Sequence, residues 1–298
     1  MTEPSATPPD LGRMLADVGA DRFFDDYWQK RTLASRLTPE VFAQLLEAVG
    51  PLDISRFCGM AREGTRAWIA NEFVAHSVIP VDASNAEQLF DIGATLYFVN
   101  VSLDTLTAAV ADFLGAPRQK LIASLFLTPA GGGAAAHFDK NENFTIQLTG
   151  TKAWMVDEVP AVTAPPDGYV LGQTVSAVLA SLLPASLRQP DRQVELQPGS
   201  LLYVPRGTIH ATLAGPVSWS LNLSYSPSMW IDLLVTGLRR QLSSSPEWRG
   251  TVTGVGGCAS AAAKADILPE LANGLRALLA DPRQLEQLAR QFLDHPDG

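Results

Sequence analysis

Two histidines and an aspartate have the types and spacing of a metal site. His137 and Asp139 are two residues apart, and residues two apart in a β-strand point to the same side. His210 follows the turn signal Pro198-Gly199 in a separate segment and can supply a third ligand. Two imidazoles and one carboxylate leave coordination positions open, as in the facial triad of non-haem Fe(II) oxygenases. A lone His-x-Asp tripeptide is more often a surface loop, so this interpretation depends on the strands around it.

Polar and apolar residues alternate along the strands that are expected to flank these ligands. Between 137 and 148 the polar set is His137, Asp139, Asn143, Thr145 and Gln147. In the strand 218–225 the polar set is Ser218, Ser220, Asn222 and Ser224. A polar inward face is costly unless it lines a wet or ligand-filled cavity. The alternative is a sheet surface that faces solvent, which is normal for antiparallel sheets.

Lys152 begins a strand after the turn signal Thr149-Gly150-Thr151. We expect a hairpin with the preceding strand, which places Lys152 beside the same cavity. A lysine that points inward needs an anion, and a small anionic co-substrate can supply one. A lysine after a turn is, on its own, usually exposed.

The remaining pattern predicts a barrel between helical flanks. Short strands separated by turn signals are typical of an antiparallel barrel or jelly roll. The predicted fold class is therefore mainly β with α: a double-stranded β-helix with N-terminal helical segments and a C-terminal helical lobe. The predicted divisions are a disordered tail at 1–10, an N-terminal helical and mixed segment at 11–92, a barrel core at 93–227 and a helical lobe at 228–298.

Composition excludes some classes of partner. The formal net charge of -9 argues against nucleic acid, since phosphate backbones require basic surfaces. No apolar run reaches the roughly 18 residues of a transmembrane helix, and the first ten residues lack the pattern of a signal peptide. Cys58 and Cys258 form no CxxC motif or disulfide framework, which favours a reducing, cytoplasmic compartment.

Taken together, the motifs resemble the JmjC-type cupin oxygenases, and among them most closely the ribosomal oxygenases and the bacterial cupin-4 proteins. The asparaginyl hydroxylase that acts on hypoxia-inducible factor is a more distant likeness. The stretches that carry the resemblance are 124–129, His137-Phe138-Asp139, 144–154 ending in Lys152-Ala153-Trp154, and 198–210 ending in Pro205-Arg206-Gly207-Thr208-Ile209-His210. Residues 23–30 also look like the N-terminal entry of that family.

The resemblance implies a double-stranded β-helix that binds Fe(II) and 2-oxoglutarate and reacts with O₂. His137, Asp139 and His210 match the family's iron ligands. Lys152 matches the basic residue that pairs with the C5 carboxylate of 2-oxoglutarate. Polar residues near the co-substrate are matched by Asn143, Ser124, Asn222 and Ser224. Ala134 stands where the family places a threonine contact, so that hydrogen bond is expected to be absent.

The function that this implies is hydroxylation of a C–H bond in a protein, peptide or amino-acid-like substrate. The alternatives are a small-molecule hydroxylase of a biosynthetic pathway, a metal cupin that works without 2-oxoglutarate, and a non-catalytic cupin for binding or assembly. The ribosomal members carry a C-terminal winged helix, whereas the residues after Ser226 read here as helices. As in relatives, these C-terminal helices are candidates for a homodimer interface.

Overall fold

The computed structural model describes residues 9–69, 78–246, 248–250, 269, 272–277, 280–283 and 286. The chain divides into two compact units, 1–227 and 228–298. The described strands are β1 (Leu33–Arg36), β2 (Thr65–Trp68), β3 (Ile79–Val81), β4 (Thr95–Phe98), β5 (Leu121–Thr128), β6 (Gly133–Phe138), β7 (Glu142–Thr149), β8 (Lys152–Val156), β9 (Tyr169–Val170), β10 (Gln193–Leu196), β11 (Ser200–Val204), β12 (His210–Ala214) and β13 (Ser218–Tyr225).

These strands form two antiparallel sheets. One has eight strands in the order β1-β11-β7-β13-β5-β4-β2-β3, and the other has five in the order β10-β8-β12-β6-β9. From β5 to β8, and again from β10 to β13, consecutive strands alternate between the sheets. This alternation is the winding of a double-stranded β-helix, so the predicted fold class, mainly β with flanking helices, is confirmed.

The described helices are α1 (Leu11–Met14), α2 (Ala20–Arg22), α3 (Pro39–Val49), α4 (Ile54–Met60), α5 (Ala86–Asp91), α6 (Asp104–Leu114), α7 (Ala177–Ala180) and α8 (Trp230–Leu242). Helix α3 begins as its sequence predicts, with Thr38 Oγ1 accepting a hydrogen bond from the Val41 N–H and Pro39 in the first turn. The predicted C-terminal lobe is described mainly through α8, and His76, His295 and Cys258 lie outside the described residues.

The main hydrophobic core lies between the eight-stranded sheet and the N-terminal helices. Alternate residues of β7, among them Phe144 and Ile146, are buried against Phe23 and Leu45. Because side chains alternate along a strand, the polar residues of β7 must face the other way, towards the five-stranded sheet. Burial of one face thus fixes the register that turns the polar set inward.

Two predictions of local structure are wrong. The stretch from 138 to 148 is not one strand, since β6 ends at Phe138 and β7 begins at Glu142. Strands β7 and β8 do not form a hairpin, because β7 pairs with β11 and β13 while β8 pairs with β10 and β12. In the N-terminal segment, α2 is followed directly by a π-helix at Phe23–Tyr27. Helices α1 and α7 span four residues each.

The segment 11–92 also contributes strands to the large sheet. Strand β1 pairs with β11 at one edge, and β2 pairs with β4 near the other. No described helix is both long and apolar enough to cross a membrane.

Candidate active site

The three residues predicted to hold a metal come together in the structure. His137 lies near the end of β6 and pairs in register with His210, the first residue of β12. Asp139 follows β6 directly, and its oxygens lie 3.9 Å from His137 Nε2 and 3.7 Å from His210 Nε2. All three candidate ligand atoms lie within 4.8 Å of one another. The two nitrogen–oxygen separations are longer than hydrogen bonds and leave room for an ion between them.

Both imidazoles are oriented for coordination through Nε2. The Nδ1 atom of His137 lies 2.7 Å from the Ala135 carbonyl oxygen, and that of His210 lies 3.0 Å from the Thr208 carbonyl oxygen. A protonated Nδ1 that donates to these carbonyls leaves the Nε2 lone pair for a metal. Burial, and the neighbouring His137, lower the pKa of His210 to about 4. The ring is therefore neutral at physiological pH.

A chain of hydrogen bonds from the eight-stranded sheet orients the carboxylate of Asp139. Asn143 Nδ2 donates to Asp139 Oδ2 at 2.8 Å. The Asn143 Oδ1 atom accepts from Ser224 Oγ at 2.6 Å and from Asn222 Nδ2 at 3.1 Å, and Thr145 Oγ1 donates to Asn222 Oδ1 at 3.1 Å. Three residues predicted to contact the co-substrate thus hold one another and a metal-ligand candidate in place.

Lys152 lines the same cavity and is buried, with 4% of its surface exposed. Its Nζ atom donates to Thr128 Oγ1 at 3.0 Å and lies 6.0 Å from the centre of the Phe126 ring. Burial lowers its pKa to about 7, and no carboxylate in the described part of the chain opposes the shift. A buried cation whose nearest partner is a neutral hydroxyl fits an anion-binding position.

The cavity has a volume of about 310 Å³ and is lined by both sheets. The five-stranded sheet supplies His137, Lys152, Trp154 and His210, and the eight-stranded sheet supplies the polar wall. That wall consists of Thr95, Thr128, Asn143, Thr145, Ser220, Asn222 and Ser224, together with the aromatic residues Trp68, Tyr97 and Phe126.

Ser124 is the predicted co-substrate residue that the structure leaves outside the lining. It is fully buried, and its Oγ accepts a hydrogen bond from the Asn100 N–H at 3.2 Å. Thr128, which the sequence analysis did not single out, takes its place beside Lys152. The sequence could have indicated Thr128, because it lies an even number of residues from Ser124 and so on the same face of the strand. It also directly precedes Pro129, where the strand was expected to end.

Other lining residues escaped the sequence analysis because their strands are far apart along the chain. Tyr97 stacks on Phe126 with ring centres 4.4 Å apart, and Trp68 packs edge-on against both. Trp154 stacks on His210 at 5.3 Å. Thr212 lines the cavity opposite Ala134. Its Oγ1 atom accepts a hydrogen bond from the Ala134 N–H at 3.0 Å. A threonine hydroxyl is thus present beside the position where Ala134 lacks one.

Comparison with known proteins identifies the domain that carries this site. A family model described as a JmjC domain matches residues 104–233, which include all three candidate ligands and Lys152. The chain contains a JmjC domain. Its resemblance to the JmjC-type cupin oxygenases is therefore confirmed, as is the class of enzyme, a 2-oxoglutarate-dependent oxygenase.

Proteins similar in sequence to this chain occur in bacteria and animals. The uncharacterised protein YxbC of Bacillus subtilis is 25% identical over 264 residues, covering 80% of this chain and 77% of YxbC. Ribosomal oxygenase 1 of Gallus gallus is 37% identical over 135 residues, covering 43% of this chain and 21% of the relative. The bifunctional lysine-specific demethylase and histidyl-hydroxylase NO66 of Drosophila mojavensis is 26% identical over 241 residues, covering 72% of this chain. This chain spans about a quarter of that NO66.

A solved structure supports the fold. YcfD, a ribosomal oxygenase from Escherichia coli in complex with cobalt and 2-oxoglutarate, matches with a TM-score of 0.55 and 20% identity, covering 91% of this chain and 70% of YcfD. The donor set of this JmjC domain fits the predicted cofactors. Two imidazoles and a carboxylate suit Fe(II), and the buried Lys152 suits one carboxylate of 2-oxoglutarate.

Proposed function

We propose that this chain is an Fe(II)- and 2-oxoglutarate-dependent hydroxylase of a side chain in a protein or peptide. The observation that carries the proposal is the pairing, in one cavity, of a His-Asp-His cluster with a buried lysine that has no carboxylate partner among the described residues. A metal cupin that works without 2-oxoglutarate gives Lys152 no purpose. A non-catalytic cupin has no need of either feature.

Each residue has a defined part in this proposal. His137, Asp139 and His210 hold the iron, and Asn143 fixes the direction of the Asp139 carboxylate. Protonated Lys152 holds the distal carboxylate of the co-substrate, steered by its contact with Thr128. The bound cofactors supply O₂-dependent chemistry that yields succinate, CO₂ and a hydroxylated substrate. The aromatic wall limits the access of water to these reactants.

Three observations support a protein substrate. Relatives are named as ribosomal oxygenases and as a histidyl-hydroxylase. The cavity of about 310 Å³ is small enough that a protein must enter it through a single side chain beside the co-substrate. The net charge of -9 favours a basic partner. The proposal places this reaction in the cytoplasm, where iron stays reduced.

A second candidate is hydroxylation of a small molecule that carries a carboxylate. Arg66, an exposed residue of β2, lines the cavity together with Trp68 and Tyr97. No ion pair joins Arg66 to a carboxylate within the described part of the chain. It could take a carboxylate of a free acid and would repel a cationic side chain.

The test combines a spectroscopic and a catalytic readout. Fe(II) and 2-oxoglutarate are added without O₂, and a weak visible charge-transfer band is expected. O₂ is then admitted with panels of basic peptides, neutral peptides and small carboxylic acids, and succinate is measured. Lys152→Ala should abolish the response to 2-oxoglutarate. Lys120 does not line the cavity, so Lys120→Ala should retain the response.

Three results are decisive here. A band with succinate released by peptides supports the proposal, and release only by small acids favours the second candidate. No band and no succinate would favour a non-catalytic cupin.

A further inference from the structure

A buried polar network lies behind the candidate metal site, on the opposite face of β7. Glu142 is fully buried and is the neighbour of the cavity-lining Asn143, so its side chain points away from the cavity. The hydroxyl of Tyr203 donates to Glu142 Oε2 at 2.6 Å. Arg206 reaches the same carboxylate twice, through its backbone N–H at 3.4 Å from Oε2 and through Nε at 3.4 Å from Oε1.

Such a network is costly to bury, which makes its position informative. The Arg206 side chain is 14% exposed and that of Glu142 is 0% exposed. Burial raises the pKa of Glu142, and only the Tyr203 hydroxyl and Arg206 act against that shift. Apolar residues of the same volume are often equally stabilising at buried positions. The network therefore calls for an explanation other than overall stability.

The network ends on the turn 205–208. Hydrogen bonds link this turn to both segments that carry candidate metal ligands. Arg206 is followed by Gly207, whose N–H donates to the carbonyl oxygen of Asp139 at 2.8 Å. The next carbonyl, that of Thr208, accepts the hydrogen bond from His210 Nδ1 at 3.0 Å. Two consecutive residues after Arg206 thus touch the backbone of one metal-ligand candidate and the ring of another.

Close packing on its other side leaves this turn little freedom to shift. Gly207 has φ +78°, and a Cβ there would lie 1.8 Å from the carbonyl oxygen of Val162. Only glycine fits this position, because both the dihedral angle and the space exclude a side chain. A displacement of Arg206 would therefore be transmitted to the ligand segments.

The other end of the network rests on the N-terminal entry segment, residues 23–30. The N–H of Gln29 donates to the Tyr203 hydroxyl at 2.8 Å, and Gln29 has φ +58°. The Tyr203 ring packs against Phe23 at 5.1 Å and Trp28 at 5.8 Å. One hydroxyl thus joins the N-terminal segment to the carboxylate that holds Arg206. This gives a role to a motif that the cavity itself does not use.

We propose that Glu142, Tyr203 and Arg206 are positioning residues, which set the separation of Asp139 and His210 and so the affinity of the site for its metal. This inference rests on the proposed metal-dependent function. The network acts through the turn 205–208, since its own contacts join Gln29, Glu142, Tyr203 and Arg206 to one another.

Co(II) serves as the probe of this proposal, because its visible absorption reports both affinity and ligand geometry. Full-length Tyr203→Phe and Glu142→Gln proteins are titrated with Co(II) beside the wild type. Changes in residues that support metal ligands typically weaken binding by about 10- to 100-fold. We expect Co(II) binding to weaken by at least about 10-fold in both variants. We also expect their visible absorption bands to change. Circular dichroism and thermal denaturation check that each variant is folded.

Tyr225→Phe is the matched control. Tyr225 stacks on the same Trp28 at 6.1 Å, and its hydroxyl forms no hydrogen bond with any described residue. We expect this variant to bind Co(II) as the wild type does. His210→Ala should bind poorly and confirms that the signal comes from the candidate site.

The outcomes separate this inference from the proposed function. Wild-type protein that gives no His210-dependent Co(II) signal overturns both. A wild-type signal that Tyr203→Phe and Glu142→Gln reproduce unchanged overturns the positioning role alone, even if their melting temperatures fall. Weaker binding with altered bands in Glu142→Gln, which preserves side-chain volume, supports the positioning role whether or not Tyr203→Phe folds.

Discussion

Lys152 is placed where it loses its proton more readily than an ordinary lysine. Burial alone lowers its pKa to about 7, and its hydrogen-bond partner Thr128 carries no charge. A bound dicarboxylate would favour the charged form and raise that pKa again. Binding of 2-oxoglutarate is therefore expected to take up a proton whenever the pH exceeds about 7.

The affinity for 2-oxoglutarate should fall as the pH rises through about 7. Above that pH most of the free protein carries neutral Lys152, so binding must include the cost of protonating it. The dissociation constant should increase about tenfold from pH 6.5 to 8.0, since each pH unit above the pKa costs up to a factor of ten. Equilibrium titration at fixed Co(II) measures it.

Lys152→Met is the control for this pH effect. It should bind 2-oxoglutarate weakly and without the pH dependence. Its fold should be at least as stable as that of the wild type without ligand, because a buried charge has been removed. A pH slope that persists in this variant would assign the titration to another group.

At the scale of elements, the pairing of β6 with β12 decides the geometry of the metal site. His137 and His210 face each other in this pairing, and Gly133 pairs with Leu213 farther along. The strands approach so closely that a Cβ at Gly133 would lie 1.8 Å from the carbonyl oxygen of Thr212. Trp68 Nε1 also donates to the Gly133 carbonyl at 2.8 Å.

Gly133→Ala should push these strands apart. We expect a loss of about 1–3 kcal/mol in the free energy of unfolding, the usual cost of overpacking, together with weaker Co(II) binding. Urea denaturation and Co(II) titration measure the two effects. Gly59→Ala is the matched control, because a Cβ at this helical position meets nothing within 4 Å. If both variants had the same free energy of unfolding and the same affinity for Co(II), the close approach of β6 and β12 would be contradicted.

The identity of the candidate site residues could be predicted from sequence more fully than the strand pairing that positions them. The candidate ligands and Lys152 could be singled out because each lies in a short motif whose residue types suggest its chemistry. Lys152 was expected to face the cavity through a hairpin, whereas it does so from the opposite sheet. Sheet pairing depends on contacts between distant segments, which alternation along one strand does not reveal. Thr212 and Tyr97 were missed for the same reason.

At the scale of the whole molecule, every described residue that lines the cavity belongs to the unit 1–227. The predicted domain divisions, the independence of the C-terminal lobe and its part in a homodimer stay predictions. In α8, Trp230 is 79% exposed and Leu234 is 55% exposed.

A chain shortened to residues 1–227 should therefore retain the site. We expect its Co(II) and 2-oxoglutarate dissociation constants to lie within about threefold of those of the full chain, well inside the tenfold that corresponds to 1.4 kcal/mol. Titration of both proteins, with sedimentation analysis of their oligomeric state, tests this. Loss of binding in a folded 1–227 protein would show that the site needs the C-terminal unit.

Not every residue of the cavity wall takes part in holding the cofactors. The candidate iron ligands and Lys152 all lie in or directly beside the five-stranded sheet, while Arg66, Trp68 and Tyr97 belong to the eight-stranded one. Selection for a new substrate could therefore act on Arg66 and Tyr97, which form no hydrogen bond with a candidate ligand or with Lys152 among the described residues. Trp68 differs, because it donates to the Gly133 carbonyl of β6. A directed-evolution library confined to Arg66 and Tyr97 would explore specificity while leaving unchanged the groups that hold the cofactors.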